Sequence, residues 1–179
     1  MTDQINDWNG NPVRLRPGTY WHLTPPKGLL LHNAKLGKGV IHSISSIAEQ
    51  PDLDKVVSPY SIAKMNDPKE TLWENIREGS FPLLPSRLKS FYCFESHELA
   101  DRAAREWFGS EARIIIEARL AHNARIHRCD AKLLEAKQDQ WHVNAERYWK
   151  GEMTQSPFPE TIVHGAIYTP AWETFSTLW

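Results

Sequence analysis

The sequence predicts an α+β fold on three observations: helices marked by their own caps, short runs rich in β-branched and aromatic residues, and no regular strand–helix repeat. The clearest helix opens at Asp67, which can cap it. Pro68 takes its first position, Glu70 stands three residues after the cap, Leu72, Trp73 and Ile76 form its buried face, and Gly79 is its expected stop. Ser96 caps a second helix through Leu99, Ala103, Ala104, Trp107 and Phe108, ending at Gly109. Asp130 opens a short third one, and Trp141 to Lys150 reads as a fourth, closed by Gly151.

The strand-like runs are Thr19 to Leu23, Ser90 to Phe94, Arg113 to Leu120 and Thr161 to Tyr168. Residues 40–65 predict irregular structure with one helical turn, because Ser43, Ser45 and Ser46 interrupt the apolar positions and Pro51 and Pro59 break the pattern. Gly37-Lys38-Gly39 allows a turn and lacks the further glycine and Lys-Ser/Thr pair of a phosphate loop. No repeat, low-complexity tract or linker divides the chain, so the 179 residues are expected to form one domain.

The formal net charge of −1 supplies no global field toward nucleic acid or a membrane, although a local basic groove remains open to the chain. Cys93 and Cys129 have neither metal nor disulfide spacing, which suits a reducing compartment. Residues 1–11 lack an apolar signal core and no apolar run reaches membrane-spanning length, so a soluble, cytoplasmic protein is expected. A toxin exported without a cleaved signal has the same appearance. The dispersed histidines form no metal signature, and no serine nucleophile elbow occurs. Eight tryptophans point to core packing, a role that suits Trp73, Trp107 and Trp149; Trp21, beside His22, has the alternative of walling a ligand pocket.

Three runs carry the residues with chemistry. In Tyr20-Trp21-His22-Leu23-Thr24, a strand places His22 and Thr24 on one face. Ser90-Phe91-Tyr92 follows Pro85-Ser86-Arg87. Pro159-Glu160-Thr161-Ile162-Val163-His164-Gly165 sets a glutamate at the threshold of a strand, after a loop of Gln155, Ser156, Pro157 and Phe158. Taken singly, each is an ordinary structural residue, and it is their order along the chain that singles them out.

That ordered set resembles the ADP-ribosyltransferase superfamily over about residues 18–170. Its closing segment is similar to that of the nucleic-acid-targeting toxins of toxin–antitoxin pairs, and the run Pro82 to Ser90 resembles an uncharacterised bacterial and phage family of the same superfamily. The resemblance implies split antiparallel sheets with flanking helices around an NAD cleft. It implies NAD as co-substrate without a metal, an acceptor that is nucleic acid before protein, and an antitoxin or chaperone as partner.

The same resemblance assigns the residues. Glu160 would bind the ribose hydroxyl and offset positive charge on the sugar as the nicotinamide bond breaks. His22 and Thr24 would hold the adenosine-side ribose with Trp21 nearby. Tyr92 would stack on nicotinamide, Ser90 would brace Glu160, and Arg87 would contact NAD phosphate or the reacting ribose. Phe158, where arginine-modifying members carry Gln or Glu, would stack on the acceptor with Gln155 beside it.

The basic set Arg87, Lys89, Arg125, Arg128 and Lys132 favours nucleic acid, against the acidic residues that share its segments. Glu152, after the expected helix stop, competes with Glu160 for the acid's role. The rival functions are a noncatalytic immunity or adaptor domain and an NAD-using RNA phosphotransferase of related fold.

Overall fold

A computed structural model of the protein describes residues 3–175. In chain order the elements are β1 (Gln4–Asn6), β2 (Pro12–Arg14), β3 (Tyr20–Thr24), α1 (Leu29–Leu36), β4 (Val40–His42), α2 (Ile44–Ile47), α3 (Pro59–Lys64), α4 (Pro68–Ser80), β5 (Phe91–Phe94), α5 (His97–Phe108), β6 (Ile114–Leu120), β7 (Arg125–Asp130), α6 (Trp141–Trp149), β8 (Pro159–His164) and β9 (Ala166–Tyr168), with short 3₁₀ turns at Ala131–Glu135, Gln138–Gln140 and Trp172–Thr174. The fold is α+β, with antiparallel sheets and flanking helices. Among the described residues no helix is long and apolar enough to cross a membrane.

The chain forms two compact units, each assembled from discontinuous segments. Of the described residues, the first holds 3–42, Tyr92–Ala124 and 165–175. Its sheet runs β4-β9-β6-β3-β5, all neighbours antiparallel, with β1 and β2 as a separate small ribbon. Alternating residues of β6 are buried (Ile116, Ala118, Leu120), as the two-residue period of a strand requires. Ala100 and Ala103 of α5 are buried with them. Gly39, at φ +88°, leaves no room for a side chain: a Cβ there would stand 2.6 Å from Trp172 and from Tyr168.

The second unit comprises Ser43–Phe91 and Arg125–His164. Strands β7 and β8 pair in an antiparallel ladder that sets Cys129 opposite Glu160 and Asp130 opposite Pro159. Helices α4 and α6 pack together through Trp73 and Trp149, both buried, and the Trp149 indole donates to the Trp73 carbonyl at 2.8 Å. Gly151, at φ +73°, ends α6, where its N–H bonds the Tyr148 carbonyl at 3.0 Å.

Several expectations are corrected. Residues 40–65 hold β4, α2 and α3, because two of the residues read as breakers, Ser43 and Pro59, stand at helix starts. Ser43 caps α2, and Ser58 and Ser61 form a capping box with Pro59 at the first position of α3. Helix α4 runs through Gly79 to Ser80, since Arg77 holds the following chain by donating to the Leu84 carbonyl at 3.2 Å. Trp107 is 38% exposed, lying tilted against Phe94. The single run predicted from Thr161 to Tyr168 divides into β8 and β9 at Gly165, whose φ of +126° breaks the strand.

Candidate functional site

The site lies within the second unit and is built around Arg87. The loop carrying it is pinned by its neighbours: the Ser58 hydroxyl donates to the Leu88 carbonyl (2.5 Å), Ser45 N–H to the Lys89 carbonyl (2.7 Å), and Leu88 N–H to Ser86 Oγ (3.2 Å). With the loop so fixed, the Arg87 guanidinium points inward, buried, and each of its five N–H groups has an acceptor. Nε donates to Glu70 Oε2 (3.1 Å) and Nη2 to Glu70 Oε1 (3.1 Å) and the Tyr60 hydroxyl (3.5 Å). Nη1 donates to Glu160 Oε1 (3.0 Å) and the Tyr148 hydroxyl (2.5 Å).

Each partner comes from a different element. Glu70 lies in the first turn of α4, Tyr60 on α3, Tyr148 on α6 and Glu160 near the start of β8. Tyr148 donates to Glu160 Oε1 at 2.7 Å, and its own place is set by His127 of β7, whose Nε2–H donates to the Tyr148 carbonyl at 2.9 Å. His127 also stacks on Trp149, and burial lowers its pKa, so it holds the neutral form near pH 7.

The two carboxylates around Arg87 differ. Glu70 takes a two-pronged ion pair plus the Tyr60 hydroxyl (2.8 Å), and although burial alone would raise its pKa, Arg87 outweighs that and holds it below the usual value. Glu160 is 2% exposed and receives both of its strong hydrogen bonds on Oε1, while Oε2 receives none from the described residues. Burial pushes its pKa up more than Arg87 and Tyr148 draw it down, and the Glu70 charge adds to the rise. One guanidinium faces two acids, and Glu160 holds the smaller share of it.

Beside Glu160, the Cys129 thiol contacts the Glu160 carbonyl at 3.6 Å. Burial and the Glu160 charge raise its pKa far above the ordinary thiol value, so it stays protonated. Asp130, the next residue on β7, takes Lys132 N–H (3.0 Å) and Phe158 N–H (2.8 Å) on Oδ1, and the Thr154 N–H (2.8 Å) and hydroxyl (2.7 Å) on Oδ2. These bonds tie the loop preceding Glu160 to β7. A cavity of about 410 Å³ in the same unit has Val57, Ile62, Met65 and Leu88 among its walls, and neither Glu160 nor Tyr148 lines it.

Of the residues singled out from sequence, Arg87 and Glu160 are brought together. Ser90 does not brace Glu160: its hydroxyl bonds Ser45 Oγ at 3.0 Å, and Arg87 and Tyr148 hold the acid instead. Arg87 has its donors directed to protein groups rather than presented to a phosphate. Phe158 is 1% exposed and belongs to the core, so it offers no face to an acceptor, whereas Gln155, Ser156 and Pro157 are exposed. Glu152 pairs with Arg147 at 3.0 Å on the surface.

The basic set is dispersed in its surroundings: Arg125 and Arg128 are exposed and Lys89 is half-buried. Arg87 is buried, Arg125 pairs with Glu49, and Lys132 pairs with Glu135 at 3.0 Å.

Trp21, His22, Thr24 and Tyr92 lie in the first unit. His22 Nδ1 is 2.6 Å from the Tyr92 carbonyl; a carbonyl only accepts, so the proton sits on Nδ1 and Nε2 is the acceptor of the neutral ring, the form that burial favours. Trp21 packs edge-on against His97, with ring centroids 4.9 Å apart, and Thr24 is buried.

Sequence reasoning missed Tyr148, Tyr60 and Glu70 as parts of the site. Glu70 had a signal, its place three residues after Asp67, but that spacing reads as a capping box. In the structure Asp67 itself accepts from Lys69 N–H and Glu70 N–H, and the Glu70 side chain turns inward.

The fold and site thus define an α+β protein with two carboxylates buried on one arginine. The chain belongs to the family described as Protein of unknown function (DUF2441), whose family model matches residues 38–170. That span contains Tyr60, Glu70, Arg87, Tyr148 and Glu160 and leaves out Trp21, His22 and Thr24. No curated protein matches the chain.

Proposed function

We propose that this protein is an NAD-dependent mono-ADP-ribosyltransferase in which Glu160 is the reacting acid. The observation that carries the reading is the asymmetry of Glu160: one oxygen is anchored by Arg87 and Tyr148, the other takes no hydrogen bond from the described residues, and burial raises its pKa above the usual glutamate value. A carboxylate held that way suits a ribose hydroxyl on Oε2 and can offset charge growing on the sugar. The lifted pKa also suits it to take a proton from an incoming nucleophile. NAD supplies the glycosidic bond that breaks and the ADP-ribose that moves.

Within this reading the remaining residues act as the resemblance assigns, except where corrected. His22, with Thr24 and Trp21 on β3, is assigned to the adenosine-side ribose, and Tyr92 to nicotinamide. Arg87 is a positioning residue for Glu160. The exposed loop tip at Gln155 meets the acceptor, a nucleic acid before a protein, and a toxin or defence effector with an antitoxin or chaperone partner is the role that follows.

A noncatalytic binding domain is the second reading, favoured by the burial of Glu160 and the full occupation of Arg87. Incubation with NAD labelled in the adenylate half, with separate pools of DNA, RNA and protein, separates the two. Label entering one pool supports transfer and names the acceptor class, and label entering none favours the binding domain.

A further inference from the structure

Glu70 takes no direct part in the transfer chemistry, yet it holds more of Arg87 than Glu160 does. Its two oxygens bond Nε and Nη2 at 3.1 Å each, while Glu160 has a single bond to Nη1 at 3.0 Å. All three side chains are buried, so water does little to screen them from one another. A guanidinium is planar and rigid, so fixing two of its nitrogens fixes the third. The position of Nη1 beneath Glu160 is therefore set from the α4 side.

We propose that Glu70 is a positioning residue for Glu160: by occupying Nε and Nη2 it orients Arg87 so that Nη1 alone reaches the acid, and by sharing the cation it sets how readily Glu160 holds a proton. The groups facing Glu160 are Arg87 from its loop, Tyr148 from α6 and Cys129 from β7, with the Glu70 charge acting across Arg87 from α4. Tyr60 of α3 donates to Glu70 Oε1 and so supports the ionised form of that group. Arg87 and Tyr148 favour the Glu160 carboxylate, and Glu70 opposes it. Removing the opposing charge frees Arg87 for Glu160.

The effect on catalysis rests on reading Glu160 as the reacting acid; the effect on its proton does not. The experiment is a carbon-13 NMR titration of the Glu160 carboxyl in the full chain, for the wild type, Glu70→Gln and Tyr60→Phe. In Glu70→Gln, proton binding at Glu160 is expected to weaken about tenfold, as loss of a nearby like charge does. In Tyr60→Phe, Glu70 leans harder on Nη2 and Glu160 is expected to hold its proton about twofold more tightly. Should Glu70→Gln fail to fold, the Tyr60→Phe titration decides alone.

An unchanged titration in every folded variant, or an opposite shift in either, overturns the proposal. The acidic limb of the transfer rate is then followed in the same variants. A shifted titration in a protein that transfers no label retains the positioning role and removes the transferase reading. Label transfer with an unmoved titration does the reverse.

Discussion

Two carboxylates lie on successive cross-strand pairs at one end of the β7–β8 ladder and are buried to nearly the same degree, Asp130 at 0% and Glu160 at 2% exposed. Asp130 accepts four hydrogen bonds, three from backbone N–H groups and one from a hydroxyl, divided evenly over its two oxygens. Burial would raise its pKa, but those donors hold it below the usual value. Glu160 has two strong donors on one oxygen, and burial prevails. The difference teaches that burial alone does not decide what an acid does. A fully satisfied carboxylate is a fastener, and a half-satisfied one keeps an oxygen and a proton equilibrium for chemistry.

The sharpest way to break this comparison is to remove the cation. Arg87→Met leaves Glu70 and Glu160 buried without their counter-charge, and a loss of about 3–5 kcal/mol is expected by urea denaturation. A loss under 1 kcal/mol would mean that the network does not hold the unit together. Asp130→Asn comes next: one side-chain oxygen becomes a donor facing N–H groups, with an expected cost of about 1–3 kcal/mol and faster amide exchange at Thr154 and Phe158. Glu160→Gln should do the contrary, leaving stability at pH 7 unchanged or slightly higher, because an acid whose pKa is raised by folding is a strain when ionised. Equal destabilisation by the Asn and Gln variants would erase the distinction.

A smaller effect is the pH profile of stability. Asp130 and Glu70 have lowered pKa values, so their contribution is present above the ordinary carboxylate range and is lost as pH falls through their folded values. Glu160 has a raised one, so the folded state loses stability as pH climbs from the ordinary glutamate value through its folded value. In thermal melts, Asp130→Asn should flatten the acid side, and Glu160→Gln the decline above it. The mildest expectation is that His22→Ala weakens NAD binding by about fivefold, the loss of one hydrogen bond, in a calorimetric titration; equal affinity would return His22 to a purely structural place in β3.

How much of this was legible in the sequence depended on whether the signal was local. The caps at Asp67 and Ser96 and the glycine stop at Gly151 are short-range chemistry, and α4, α5 and α6 stand where they predict. Strand β7 was missed because Arg125-Ile126-His127-Arg128-Cys129-Asp130 carries charges on its outer positions, and its strand character comes from pairing with β8. The Arg87 network draws on residues 60, 70, 87, 148 and 160, and no spacing rule connects them. Glu160 stands out in the sequence by its place before a strand, but its restraints come from Tyr148 and Arg87, which only the folded chain brings within 3.0 Å. Phe158 was misjudged because loop position suggests exposure, whereas its N–H is fixed by Asp130 and its ring packs into the core.

The most direct test is a single-turnover comparison of wild type and Glu160→Gln at equal folded concentration, following transfer of the labelled ADP-ribose moiety to the acceptor pool. A fall of roughly a hundredfold or more, with unaltered circular dichroism and NAD affinity, is the predicted result. Transfer by the Gln variant at the wild-type rate would contradict it.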